Sequence, residues 1–159
     1  MSVPNWCSNN LEIRSDDPEL IKKFNLALDS DGLFQSLCPN PSGEWDYGWS
    51  VDNWGVKWDV RGEEIQVVQV DEDRIIICFD TAWGPPITLY EHLEQEGYEV
   101  VGMYYEPGMA FCGIYSNGFD DYYEYTGMTS EEVKATIPDD LDNCFGISEY
   151  IEDRENDEY

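Results

Sequence analysis

The chain has 159 residues, with 8 Lys and Arg against 35 Asp and Glu, a formal net charge of −27. Its length suits one domain or one domain with a tail, and at 42% hydrophobic and 14% aromatic residues it can build a core, which excludes wholesale acidic disorder. The charge excludes direct binding to a phosphate backbone, which needs clustered Lys and Arg, and disfavours an anionic membrane surface.

Residues 5–14 alternate and predict a first strand. Asp17-Pro18 then supplies an N-cap and a proline for the first helical turn. Leu20, Ile21, Phe24, Ala27 and Leu28 recur at helical spacing until Gly32, which predicts a helix over 18–29. The Pro-, Gly- and Trp-rich stretch from Cys38 to Asn53 reads as a long loop, and residues 56–61 as a short strand or turn. Glu64–Val70 and Arg74–Phe79 are strands joined by the polar Asp71-Glu72-Asp73, a hairpin connection. Thr81 to Pro86 is a break, after which Ile87, Leu89, Tyr90 and Leu93 give a second helix ended by Gly97. Strands follow over 98–105, 109–115 and 119–125, turned by Pro107-Gly108 and Asn117-Gly118. Thr129-Ser130-Glu131-Glu132 is a capping box opening a short helix that ends before Pro138. The order predicts an α+β fold: a ferredoxin-like split βαβ with an antiparallel sheet, extra C-terminal strands and a helix. The division expected is a domain over 1–127 and an acidic extension with a short helix over 128–159.

The five cysteines are scattered and form no CxxC pair, so no zinc site is expected. The N-terminus lacks the basic and apolar regions of a signal peptide, and the longest apolar runs are strand-length. A cytoplasmic protein with reduced thiols follows. Cys7, Cys78 and Cys112 fall in strands and read as small core residues. His92, the one histidine, reads as a solvent-facing helical residue with no nucleophile at a recognisable motif, so no catalytic residue is assigned. Asp29-Ser30-Asp31-Gly32 lacks the ligand spacing of a calcium loop, and no metal or cofactor is expected.

Three motifs stand out: Asn5-Trp6-Cys7 within Pro4–Asn9, Asn53-Trp54-Gly55-Val56-Lys57-Trp58-Asp59, and Thr81-Ala82-Trp83-Gly84-Pro85-Pro86. In order and spacing they resemble the YubB-type ferredoxin-like domain family of bacterial plasmids and phages. Tyr105-Glu106-Pro107-Gly108-Met109-Ala110-Phe111-Cys112-Gly113 resembles a further region of that family, so the likeness spans residues 3–118. It implies the fold and a mobile-element origin and carries over no catalytic residue. Physically, Trp54, Trp58 and Trp83 either plug the gap between sheet and loop or form an aromatic surface for a base, sugar or partner. In the plugging alternative Lys57 and Asp59 pair locally or cap loop amides.

The charge is uneven. Residues 120–159 carry 14 acidic and 2 basic residues, net −12, against −15 over 1–119. Glu149, Glu152, Asp153 and Asp157 recur at helical spacing, roughly 5–6 Å apart on a helix and comparable with neighbouring phosphates. Leu141, Phe145, Ile147, Tyr150 and Ile151 could dock this segment on the domain. The primary expectation is a non-enzymatic DNA mimic that binds and inhibits a host protein through its basic, nucleic-acid-binding surface, as an anti-restriction, anti-CRISPR or transcription inhibitor would. Its anionic surface is assigned to Asp120, Asp121, Glu124, Glu131, Glu132, Asp139, Asp140, Asp142, Glu149, Glu152 and Asp153, with Tyr122, Tyr123 and Tyr125 as anchors. The alternatives are a ligand-binding or enzymatic role at Trp54, Lys57, Trp58, Asp59 and Trp83, and a structural assembly protein joined by sheet edges.

Overall fold

The computed structural model describes residues 4–157; residues 1–3 and 158–159, the outer ends of the two expected segments, lie outside the described residues. The alternation over Trp6–Arg14 becomes β1, which buries Cys7, Asn9, Leu11 and Ile13 on one face of the sheet. Strand geometry sets this pattern, since successive side chains point to opposite faces. α1 (Pro18–Ala27) opens as expected, with the Asp17 carboxylate accepting from the Glu19 amide at 3.0 Å.

Two helices stand where the composition signalled none. α2 (Leu33–Leu37) buries Leu33, Phe34 and Leu37, and α3 (Tyr47–Trp54) forms inside the segment read as a long loop. Ser50 and Trp54, four apart, supply the buried side of α3. Gly55 ends it at φ 87°, where an added Cβ would lie 3.1 Å from the Thr88 amide nitrogen. Glycine alone lets α3 stop that close to the next helix.

β2 (Gln66–Val70) and β3 (Arg74–Ala82) form the expected hairpin. Residues 56–61 form no strand, and Gly62–Glu64 make one 3₁₀ turn that delays the start of β2. β3 runs past Phe79 because its last residues pair with β1, Trp6 lying opposite Ala82, so the break begins at Trp83. α4 (Ile87–Glu96) ends at Gly97 in the left-handed region. β4 (Glu99–Glu106), β5 (Phe111–Ser116) and β6 (Phe119–Glu124) follow, and Asn117 and Gly118 both take positive φ in the tight β5–β6 turn.

The six strands form one antiparallel sheet in the order β2-β3-β1-β4-β5-β6. β3 lies between β1 and β2, and β1 between β3 and β4, so each βαβ unit is split by a strand of the other. The fold is α+β, with β5 and β6 added beyond β4.

Helices α1–α4 cover one face over a core that includes Leu11, Ile13, Phe24, Phe34, Ile75, Ile77, Leu89 and Val100. The opposite face is covered over β4 and β5 by the acidic extension. Here the expectation of one short helix is corrected. The segment forms three, α5 (Ser130–Thr136), α6 (Asp139–Phe145) and α7 (Ile147–Asp157). Val133, Ile137, Leu141 and Ile147 pack with Cys112, Met103, Tyr105 and Ile114 of the sheet. Burial of these few apolar side chains overrides the acidic composition, because each contributes about 1.5–3 kcal/mol when fully removed from water.

Candidate functional site

The motifs at the start of β1, the end of β3 and the end of β4 meet at one end of the sheet. The Trp83 amide donates to the Asn5 carbonyl at 2.8 Å. The buried Asn9 side chain donates to the Cys7 and Phe79 carbonyls and to Thr81 Oγ1, and Thr81 in turn donates to the Gly84 carbonyl at 2.6 Å. Glu106, 1% exposed, accepts from the Gly108 and Met109 amides at 2.6 and 2.9 Å. A Cβ on Gly108 would lie 2.6 Å from Asn5 Cγ, so the β4–β5 turn closes directly over the chain's start. The carbonyls of Pro85 and Pro86 accept the Ile87 and Tyr90 amides and begin α4. Burial pushes the Cys7 thiol up to about 12, which keeps it protonated and unreactive. These motif residues form a satisfied polar knot that fixes the strand ends.

The tryptophans divide. Trp54 plugs the core, edge-on to Phe34 and Trp49, with its indole N–H donated to the Cys38 carbonyl at 2.9 Å. Trp58 and Trp83 stay exposed at 41% and 46%, as does Trp6. Trp6 and Trp58 meet with ring centroids 6.1 Å apart, and Lys57 Nζ sits 4.2 Å from the centre of the Trp58 ring. Trp45 donates its indole N–H to the Lys57 carbonyl at 2.6 Å, pinning this loop. Asp59 is the cap of α2: its carboxylate accepts from the amides of Phe34, Gln35 and Val60 at 2.7–3.0 Å. Burial raises the Asp59 carboxyl above the ordinary range, against the opposing pull of those three amides. Beside the two rings lies a cleft of about 360 Å³, also lined by Arg61, Glu63, Glu64 and Asp80. Sequence reasoning placed Trp6 and Trp58 in motifs but missed Asp80, because the β1–β3 register, with Ser8 opposite Asp80 and Trp6 opposite Ala82, sets it beside Trp6, and Trp58 joins them from the loop after α3.

The residues assigned to an anionic surface lie on β6 and on α5–α7. Strand alternation puts Asp120, Tyr122 and Glu124 on one face of β6 and Asp121 and Tyr123 on the other. Tyr104 donates to Asp120 and Tyr123 to Asp121, both at 2.5 Å, and Tyr122 to Glu124 at 3.0 Å. Burial, with those carboxylate partners, holds the Tyr104 and Tyr122 phenols above their usual range. Two assignments are corrected. Tyr125 is 7% exposed and stacks on Tyr105, so it is core and not an anchor. Asp142 is also buried and accepts from the Ser148 amide and hydroxyl at 2.7 and 2.6 Å, so it ties α6 to α7 and faces no partner. Its local tie satisfies a helix-end amide, which composition alone does not reveal.

On α7 Ile147 and Ile151 turn inward, while Glu149, Glu152, Asp153 and Asp157 are exposed. Glu155, although exposed, accepts from the Ser130 amide at 2.8 Å, fastening α7 to the start of α5. Glu131, Glu132, Asp139 and Asp140 are exposed on α5 and α6. Lys134 reaches Glu152 at 3.8 Å.

His92 differs from its solvent-facing expectation: it is half-buried, with Nε2 3.2 Å from the Leu37 carbonyl and 3.3 Å from Glu96. Among the described residues no group of three or more His, Cys, Asp or Glu side chains could hold a metal ion. No helix among them is long and apolar enough to cross a membrane.

No protein-family model and no curated protein matches the chain. The crystal structure of the protein api92 from Yersinia pseudotuberculosis, family model DUF1281, is similar with a TM-score of 0.50 at 12% identity. The match covers 79% of this chain and 99% of that one. At such identity the likeness is one of fold, and it agrees with the α+β architecture.

Proposed function

We propose that this chain is a non-enzymatic, cytoplasmic binding protein that occupies the basic, nucleic-acid-binding surface of a partner protein by mimicking a phosphate backbone. One observation carries the reading. The most acidic segment is fixed on the sheet by the cluster around Leu141 and Ile147 and holds its exposed carboxylates on helices. A loose solubility tail needs no such docking, whereas a mimic of a regular polyanion needs charges held in place. Like charge gathered at net −27 repels itself and destabilises the compact state, a cost that a useful field offsets. The cytoplasmic setting is supported by five free cysteines, three of them buried. The resemblance of the Trp and Pro motifs to a plasmid- and phage-borne family supports a mobile-element origin, and for a protein of that origin we infer a host nucleic-acid-handling protein as the target and inhibition as the outcome.

The test is capture from a bacterial lysate at low and high salt, followed by competition of the captured protein with duplex DNA. Neutralising Glu131, Asp139, Asp140, Glu149, Glu152 and Asp153 to their amides is expected to abolish capture while circular dichroism stays unchanged. DNA is expected to displace the chain from its partner. Capture that survives neutralisation, or a partner indifferent to DNA, overturns the reading.

A further inference from the structure

The cleft beside Trp6 and Trp58 lies apart from the carboxylates of β6 and α5–α7 that carry the proposed function. Its walls include two half-exposed indoles, with ring centroids 6.1 Å apart and planes tilted by 37°. Indole faces carry negative quadrupole density and attract cations, Arg and Lys above all. The chain already uses this property, because its own Lys57 ammonium rests 4.2 Å from the Trp58 centroid.

The lining carboxylates decide what else fits. Asp59 is committed to three backbone amides. Glu64 accepts from the Arg61 amide at 3.0 Å, and Glu63 lies 3.8 Å from the Arg61 guanidinium. Asp80 is exposed and lines the same cleft, and while its backbone belongs to the β1–β3 ladder its carboxylate has no hydrogen-bond or ionic partner among the described residues. A ring face beside an uncommitted carboxylate matches a group that is both flat or apolar and positively charged. An inorganic cation would use the carboxylate and waste the rings; a neutral aromatic would do the reverse.

We propose that the Trp6–Trp58–Asp80 cleft receives one organic cation, the guanidinium or alkylammonium side chain of an Arg or Lys on the partner protein. The site rests on the reading of a basic partner and gives that reading a local specificity element. General charge complementarity would steer the partner, and the cleft would fix its register. Asp80 accepts hydrogen bonds from the cationic head, while Trp6 and Trp58 cover its apolar stem and flat face.

The experiment uses the full-length protein alone, so its result is separate from that of lysate capture. N-acetylarginine methylamide is titrated in 0.3 M salt, which screens the diffuse field of distant carboxylates, while the indole N–H signals are followed by NMR. Saturable shifts confined to Trp6 and Trp58 are expected, and the neutral isosteric citrulline derivative is expected to produce none. Trp58→Leu leaves the charge unchanged and is expected to weaken binding about two- to fivefold. Asp80→Asn is expected to weaken it by at least as much, and the distant Glu149→Gln/Glu152→Gln pair not at all. Equal shifts with the citrulline derivative, or equal losses from Asp80→Asn and the distant pair, overturn the cleft. Should Trp58→Leu fail to fold, the comparison of Asp80→Asn with the distant pair decides. A cleft that binds arginine in a chain that captures no basic partner would leave the site standing and remove the proposed function.

Discussion

At the scale of single residues, side chains with the same formal charge do opposite work according to the amides around them. Asp59, Glu106, Asp142 and Glu155 are spent on backbone N–H groups, and Glu131 or Asp153 are left to solvent. Asp59 shows the difference in energy. Replacing Asp59 with Ala leaves the Phe34 and Gln35 amides at the start of α2 without their acceptor, and urea denaturation is expected to show a loss of about 1–2 kcal/mol. Glu131→Ala, on an exposed helical face, is expected to stay within about 0.5 kcal/mol. A loss at Asp59 no larger than that at Glu131 would remove its capping role. The two caps that are close in sequence, Asp17 for α1 and Thr129 for α5, were legible because cap and amide lie two or three residues apart. Asp59 was not, since its amides belong to residues 25 and 24 positions away. Separation along the chain likewise hid Asp80 from the cleft, whose two indoles come from residues 6 and 58.

Among elements, legibility followed periodicity. The strands and α1, α4 and α5 carry clear alternation, helical spacing or caps, and they formed within a few residues of where they were expected. α3 was hidden because Gly and Pro dominate the stretch before it, while Ser50 and Trp54 gain their meaning from the core they enter. The extension was half legible: Leu141, Phe145, Ile147 and Ile151 marked its docking face, whereas Tyr150, read with them, stays exposed, and the sheet surface that receives them could not be read locally. That surface, with Cys112, Met103, Tyr105 and Ile114, makes a prediction at this scale. Leu141→Ala, at a fully buried position, is expected to cost about 2–5 kcal/mol and to raise hydrogen exchange together across α5, α6, α7 and β5. Faster exchange confined to α6 would mean that the three helices do not behave as one layer. The cooperative outcome is what the Asp142–Ser148 and Glu155–Ser130 ties favour, since each joins two helices by side chain to backbone.

For the molecule as a whole, charge acts on folding and on binding with opposite signs under one experimental variable. The ion pairs of Arg and Lys among the described residues involve Arg14, Arg61, Arg74 and Lys134, and Arg14 and Arg74 share Glu12, so most of the 35 acidic groups face their own kind. Screening should therefore relieve repulsion and stabilise the fold. The Debye length falls from about 30 Å at 0.01 M salt to about 8 Å at physiological ionic strength. The melting temperature is expected to rise over that range, by about 2–4 °C for each kcal/mol of repulsion removed. Attraction to a basic partner is screened by the same ions, so affinity is expected to fall while stability climbs. A binding loss caused by partial unfolding would instead track a falling melting temperature. Measuring both quantities on one salt series separates these causes: opposed slopes assign the loss to the field between two surfaces. Parallel slopes would assign it to the fold, and the carboxylates of α5–α7 would then be a solubility device and not a recognition surface.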